Sequence, residues 1–177
     1  IHKIDWKNLN KINQKYDWIW ACYTETSRGL KIPISDLKKL KRKTKSKLAL
    51  DATSSFGLEK DHNVADVISF SSCKGLLGLT GAGFICYNVK PKNKVNSFVL
   101  DINNSKNKKM TGPYHSIQSL ELIVNNYKFF KRSVEINKKK AIKKFKRYIS
   151  LPNKNQPLLC TYLNCKVKGS SSKVILY

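Results

Sequence analysis

Three short stretches of the sequence each set a different reactive group beside glycines and small hydroxyl residues: "YTETSRG" from Tyr23, "DATSSFG" from Asp51 and "SSCKGLLG" from Ser71. The first brings hydroxyls (Thr24, Thr26, Ser27), the second a carboxylate (Asp51) and the third an amine (Lys74). Each closes or follows an apolar run, "WIWACY", "KLALD" or "VISFSS", and is therefore expected at the carboxyl end of a β-strand. In an open α/β sheet, ligands bind outside those ends. An amine and a carboxylate delivered to one crevice suit a carbonyl cofactor that is captured as a Schiff base and whose ring nitrogen must stay protonated. Pyridoxal phosphate is such a cofactor. The lysine must then be desolvated enough to lose its proton. Val67, Ile68 and Phe70 before it, with Leu76, Leu77 and Leu79 after it, predict an apolar setting. A strand-end aspartate alone is often a helix cap, and a strand-end lysine alone is often solvated. The ordered set carries the reading.

The elements that must position these groups follow from periodicity. Asp5 precedes Trp6, Leu9, Ile12 and Tyr16, a spacing that predicts a short amphipathic helix. "WIWACY" is apolar on both faces, as expected of a strand covered on both sides. Pro33 and Ser35 open a second helix with Leu37 and Leu40 inward, and the strand "KLALD" completes a βαβ unit. "VISFSS" and "GFICYN" lie too close in sequence for a parallel crossover, so the last strand is expected to run antiparallel. The predicted fold class is α/β, with a mixed, mostly parallel sheet. "INNSKNKKMTG" reads as an exposed loop. Ser116 reads as the cap of one long helical region with Ile117, Leu120, Val124 and Tyr127 inward. It continues through Val134, Ile142, Phe145 and Ile149, with the lysines of "NKKKAIKKFKR" on its wet face. After Pro152 and Pro157, "LLCTYL" and "KVILY" predict two strands that begin a small α+β domain, dividing the chain into 1–150 and 151–177.

Composition narrows the function classes. The formal charge is +24, yet only Arg28, Arg42, Arg132 and Arg147 among the 35 basic residues are arginine, the type suited to bidentate phosphate contacts. Lysines spread over every exposed segment point to a solvated surface and not to a specific nucleic-acid site. No apolar run approaches the roughly 18–20 residues that span a bilayer, so no membrane partner is expected. Five cysteines with no CxxC pair and no histidine cluster at metal spacing predict buried reduced thiols, a cytoplasmic protein and no metal. His2 and His62 lack a partner pattern and are expected to be exposed, whereas His115 is expected to pack or cap. The chain opens on Ile1 and stops at Tyr177 within an apolar run, so both ends are expected to be cut.

In order, "ETSRG" with Pro33 following, "LALDATSSFG" and "DVISFSSCKGLLGLTGAGF" resemble the class V aminotransferases, pyridoxal-phosphate enzymes of fold type I with an aspartate-aminotransferase-like large domain. Within that family they are most similar to the enzymes that act on 2-aminoethylphosphonate and pyruvate. The match continues weakly through "SFVLDI" and "GPYHSIQSLELI". The resemblance implies that Lys74 bonds the cofactor's aldehyde and that Asp51 partners its pyridine nitrogen. It places Thr26 at the phenolic oxygen or the substrate side of the ring, Thr53 against the ring face and Ser72 near the phosphate. It also implies that Ser116 and Thr111 reach the phosphate of a neighbouring subunit, hence a homodimer with shared sites. Cys73 stands where relatives place a polar or aromatic contact to the cofactor, and a thiol is a poor donor, so weaker cofactor binding is expected. Arg28 replaces a small hydroxyl residue and is expected to salt-bridge at the site's edge or, as the alternative, to bind an anionic substrate. The implied reaction moves the amino group of 2-aminoethylphosphonate or a related amine to pyruvate, giving an aldehyde and L-alanine. Alanine–glyoxylate or serine–pyruvate transamination is the alternative, and a basic nucleic-acid-binding module the remaining one. The family's glycine-rich phosphate cup, stacking aromatic residue and substrate-gripping arginine are not found in the sequence. The chain therefore reads as an internal piece, from the later part of the large domain into the small one.

Overall fold

A computed structural model describes residues 1–89, 95–97, 99–107 and 112–165, with Ser105 described by its backbone alone. The chain begins with a 3-10 helix, Trp6–Lys11, where Asp5 accepts a hydrogen bond from the Lys7 amide at 2.8 Å. This is the expected start, but the helix stops before Ile12. Seven elements follow: β1 (Trp18–Cys22), β2 (Thr24–Glu25), β3 (Leu30–Lys31), α1 (Ile34–Thr44), β4 (Lys47–Asp51), β5 (Val67–Ser71) and β6 (Gly83–Tyr87). The main sheet has the order β1-β4-β5-β6. β1, β4 and β5 are parallel, and β6 runs antiparallel to β5, as its short connection predicts. The register aligns Cys22 with Asp51 and Asp51 with Ser69, so β1 and β4 finish level and β5 runs two residues further, to Ser71. β2 and β3 form a separate antiparallel hairpin around Thr26–Arg28.

α1 covers one face of the sheet. Its Leu37 joins Tyr23, Leu48, Leu50 and Ala65 in one buried cluster, and Leu40 is buried as well. Asp66 latches the helix to the sheet, pairing with Lys41 Nζ at 2.8 Å and accepting the Leu48 amide at 2.8 Å. Burial pushes the Asp66 carboxyl up, but the hydrogen bonds from Lys41 and the Leu48 amide, with the charges of Lys41 and Lys47, hold it below the usual carboxylate range. The opposite face is open. Strand alternation sends Trp18, Trp20 and Cys22 away from Ile19 and Ala21, and Trp20 is 81% exposed. β1 is an edge strand with one bare face, not the doubly covered strand expected. An apolar run identifies a strand without saying what lies on either side of it.

The later chain departs further from expectation. A helix, α2 (Ile102–Asn107), stands where a loop was expected, because Asp101 starts it: its carboxylate accepts the Asn103 amide at 2.9 Å and its carbonyl the Asn104 amide at 3.0 Å. The long helical region is two helices, α3 (Tyr114–Asn125) and α4 (Tyr127–Phe145), divided at Asn126. The Asn126 side chain donates to the Leu122 carbonyl at 3.0 Å, a local bond that competes with helix continuation. Pro113, not Ser116, occupies the α3 N-cap position. α3 buries Ser116 and half-buries Ser119, Leu120 and Ile123, so the expected inward Ile117 and Val124 face out. Residues 158–163 form no strand. The predicted strand "KVILY" and Thr111 lie outside the described residues. All five cysteines are free thiols as expected, but none is buried: Cys22, Cys73 and Cys160 are half-buried and Cys86 and Cys165 exposed. Among the described residues no helix is long and apolar enough to cross a membrane, and no metal-ligating cluster is present.

Candidate active site

The turns after β4 and β5 meet. Asp51 ends β4, and one carboxylate oxygen accepts the Thr53 amide at 2.9 Å, folding the chain back over the strand end. The Ala52 amide donates to the Ser69 carbonyl at 2.8 Å, and the Gly75 amide donates to the Thr53 carbonyl at 3.1 Å. The residue after Lys74 is thus bonded to the residue two beyond Asp51. Gly75 has to be glycine, since a side chain there would run into the Phe56 carbonyl. Lys74 itself is exposed, not enclosed by the leucines around it, and forms no ion pair among the described residues.

The turn carrying Lys74 is fixed from behind by hydroxyls. Ser72 is fully buried; its Oγ donates to the Leu79 carbonyl at 2.5 Å and accepts the Ala82 amide at 3.3 Å. Ser116 Oγ donates to the Thr80 carbonyl at 2.7 Å, and Ser119 Oγ accepts the Leu79 amide at 3.0 Å. Ser72 and Ser116, both expected at a phosphate, spend their donors on their own chain. The serine–glycine text identifies a turn but does not distinguish a hydroxyl that binds a ligand from one that closes the loop. Ser119 has no signal beyond its spacing, three residues after Ser116 on the same helical face. Leu77 sits at φ 63°, the left-handed region, which for a leucine costs about 1–2 kcal/mol and marks this turn as strained.

The other expected residues lie on the segments that follow the strands. Thr53 is half-buried in the Asp51 turn, and Thr26 is exposed at the start of the hairpin's 3-10 turn. Glu25 holds that turn by accepting the Ser27 amide at 3.0 Å and the Ser27 hydroxyl at 2.7 Å. Arg28 is exposed and unpaired among the described residues. Cys22 is level with Asp51; burial, then the charges of Asp51 and Glu25, push its thiol up to about 11, so it stays protonated. Cys73 moves the other way. Hydrogen bonds from Ser71 and Thr80 lower its pKa against slight burial, and the neighbouring Lys74 charge adds to the effect. His62 is half-buried, not exposed: its Nε2 lies 2.9 Å from the Ser55 hydroxyl, and its ring packs between Tyr23 and Phe56. His2 is exposed and lies 2.6 Å from the Tyr16 hydroxyl, and His115 is exposed against Tyr114.

A family model described as "Aminotransferase class-V" matches residues 2–111. The chain belongs to the class V aminotransferase family. These enzymes use pyridoxal phosphate. No curated protein matches the chain in sequence. Solved structures with the same fold include alanine–glyoxylate aminotransferase from Nostoc sp., with a TM-score of 0.68 at 18% identity over 86% of this chain and 47% of that one. Pyridoxamine–pyruvate aminotransferase from Mesorhizobium loti gives 0.66 at 19% identity over 88% and 47% of the two chains. Phosphoserine aminotransferase from Cytophaga hutchinsonii gives 0.60 at 16% identity over 80% and 47%. The class V chain therefore spans about half the length of these structures. Its residues suit part of the family's cofactor. The second Asp51 oxygen has no hydrogen bond among the described residues, and Lys74 is open. Thr24 Oγ1, on the first residue of β2, is buried without a partner among the described residues. These groups fit the ring and the aldehyde. Ser72 and Ser116, the serines expected at the phosphate, already donate to the Leu79 and Thr80 carbonyls.

Proposed function

We propose that this chain supplies the lysine and the ring-nitrogen acid of a pyridoxal-phosphate-dependent aminotransferase acting on an anionic amine, 2-aminoethylphosphonate or a related compound, with pyruvate as acceptor. The observation that carries the proposal is the Thr53–Gly75 hydrogen bond, which ties the Asp51 turn to the Lys74 turn. When bound, the cofactor supplies an electron sink that stabilises negative charge on the carbon bearing the substrate's amine. Asp51, held by the Thr53 amide, keeps the ring nitrogen's proton in place through its free oxygen. Lys74 Nζ, on a turn braced by Ser72, Ser116 and Ser119, moves the proton from the amine-bearing carbon of the substrate. Thr26 and Thr53 orient the ring, Cys73 contacts the cofactor, and Ser72 acts by shaping the lysine's turn. In this reading Thr111 and Ser116 serve the phosphate site of a second copy, Ser116 by holding the Thr80 backbone and not by direct contact.

Arg28 supports the anionic donor. With no carboxylate paired to it among the described residues, its guanidinium is open to a phosphonate or carboxylate. The exposed apolar side chains of Tyr114, Ile117, Leu122 and Val124 on α3 and of Phe129 on α4 support the homodimer, since exposed apolar surface of this extent marks an interaction face. The test is a donor panel in the full-length protein. 2-Aminoethylphosphonate should be turned over fastest, giving alanine from pyruvate, and Arg28→Ala should raise its KM while leaving that of an uncharged amine unchanged. Faster turnover of alanine with glyoxylate would replace this donor assignment, and no turnover with any donor would remove the reading.

A further inference from the structure

We infer that Glu59 and Lys138 are positioning residues, which hold the hairpin bearing Thr26 and Arg28 in place by strapping residues 155–162 across it. Lys138 is 7% exposed although it lies in a lysine-rich run. Its Nζ donates to the Cys160 carbonyl at 2.7 Å, to the Thr161 hydroxyl and to Gln156 Oε1 at 3.4 Å, all on the strap. Glu59, with a side chain 7% exposed, works from the opposite side: one oxygen pairs with Lys31 Nζ of β3 at 2.8 Å and the other accepts the Leu158 amide at 2.8 Å. Between them, the buried Asn155 side chain donates to the Lys31 carbonyl at 3.1 Å. Gly29, at φ 55°, lies so close to the Tyr162 backbone that any side chain there would collide with it.

An ammonium and a carboxylate withdrawn from water are costly unless each keeps its partners, so neither can leave the strap's acceptors and donor without an unpaired buried charge. The strap lies on the hairpin, and the hairpin carries the residues that face the substrate side. Loosening the strap should therefore let Thr26 and Arg28 move while leaving Asp51 and Lys74, fixed by separate bonds, where they are. The inference rests on the aminotransferase reading for what the hairpin does, and not for how the hairpin is held.

Hydrogen–deuterium exchange on the full-length protein tests it. In Lys138→Met and Glu59→Gln, the amides of Gly29 and Ile32, which bond Thr26 and Tyr23, should exchange at least about tenfold faster, with β5 amides unchanged. In the same variants the KM for the amino donor should rise about tenfold with kcat within about twofold, a split that general destabilisation does not produce. Asn155→Ala removes a single neutral hydrogen bond and should accelerate the same amides several-fold; it decides the matter if Lys138→Met does not fold. Unchanged hairpin exchange in a folded protein that still transaminates would overturn the strap alone. Accelerated exchange in a protein that neither binds cofactor nor transaminates would keep the strap and remove the aminotransferase reading.

Discussion

On one face of the sheet, Leu48 and Leu50 are sealed beneath α1; on the other, Asp51, one step along β4, is half-open and Trp20, on the neighbouring β1, is left open. The first face is held by apolar burial and by the Asp66 latch. The second ends in the turns that present Asp51 and Lys74. The two faces share their backbone hydrogen bonds, so the difference lies wholly in the side chains. Stability is concentrated under α1, and the proposed chemistry lies at the strand ends opposite. Substitutions on the two sides should separate cleanly, in stability and in activity.

The largest effect is expected from Lys74→Ala, which removes from an exposed turn the amine proposed to move the proton. Turnover should fall by at least about 10²–10⁴-fold, while the urea midpoint stays near that of the parent. Leu50→Ala should do the reverse, costing about 2–5 kcal/mol in urea unfolding because a fully buried side chain leaves a cavity. A large stability loss in Lys74→Ala would blur the division between the two faces.

Next comes His62. Burial lowers its pKa, with Glu59 and Asp61 opposing and Lys131 adding to the shift, so the folded state prefers the neutral ring. Its contribution is complete above the unfolded value of about 6.5 and is lost as pH falls below it, because the unfolded chain then takes up the proton first. Unfolding free energy measured against pH should decline there, and His62→Gln should flatten that part of the curve. The smallest effect is expected from Trp20→Ser in the 177-residue chain, within about 0.5 kcal/mol, since the indole is already in solvent. A loss of several kcal/mol would show that the open face is covered.

How much of this was legible in the sequence depended on the scale of the interaction. The four main strands, α1 and the antiparallel β6 follow from apolar runs and connection lengths, which are local properties. So does the placement of Asp51 and Lys74 at strand ends. Coverage of β1 was not legible, because a run such as Trp18–Tyr23 looks the same beneath a helix and at an edge. The text around Ser72 and Ser116 fits a ligand contact and a turn closure equally, because a serine beside a glycine-rich turn serves either purpose. Lys138 did leave a trace. It lies four residues from both Val134 and Ile142, on the apolar side of α4, and the surrounding lysines concealed it. Glu59 left none, since its partners, Lys31 and Leu158, lie far from it in sequence.

The central claim is that Lys74 and Asp51 share one pyridoxal ring. Borohydride reduction of the full-length protein after incubation with pyridoxal phosphate, followed by peptide mass analysis, tests it most directly. A pyridoxyl group should be found on Lys74 in both the parent and Asp51→Ala, with turnover lost in the variant. Labelling spread over other lysines with Lys74 unmodified would contradict the account.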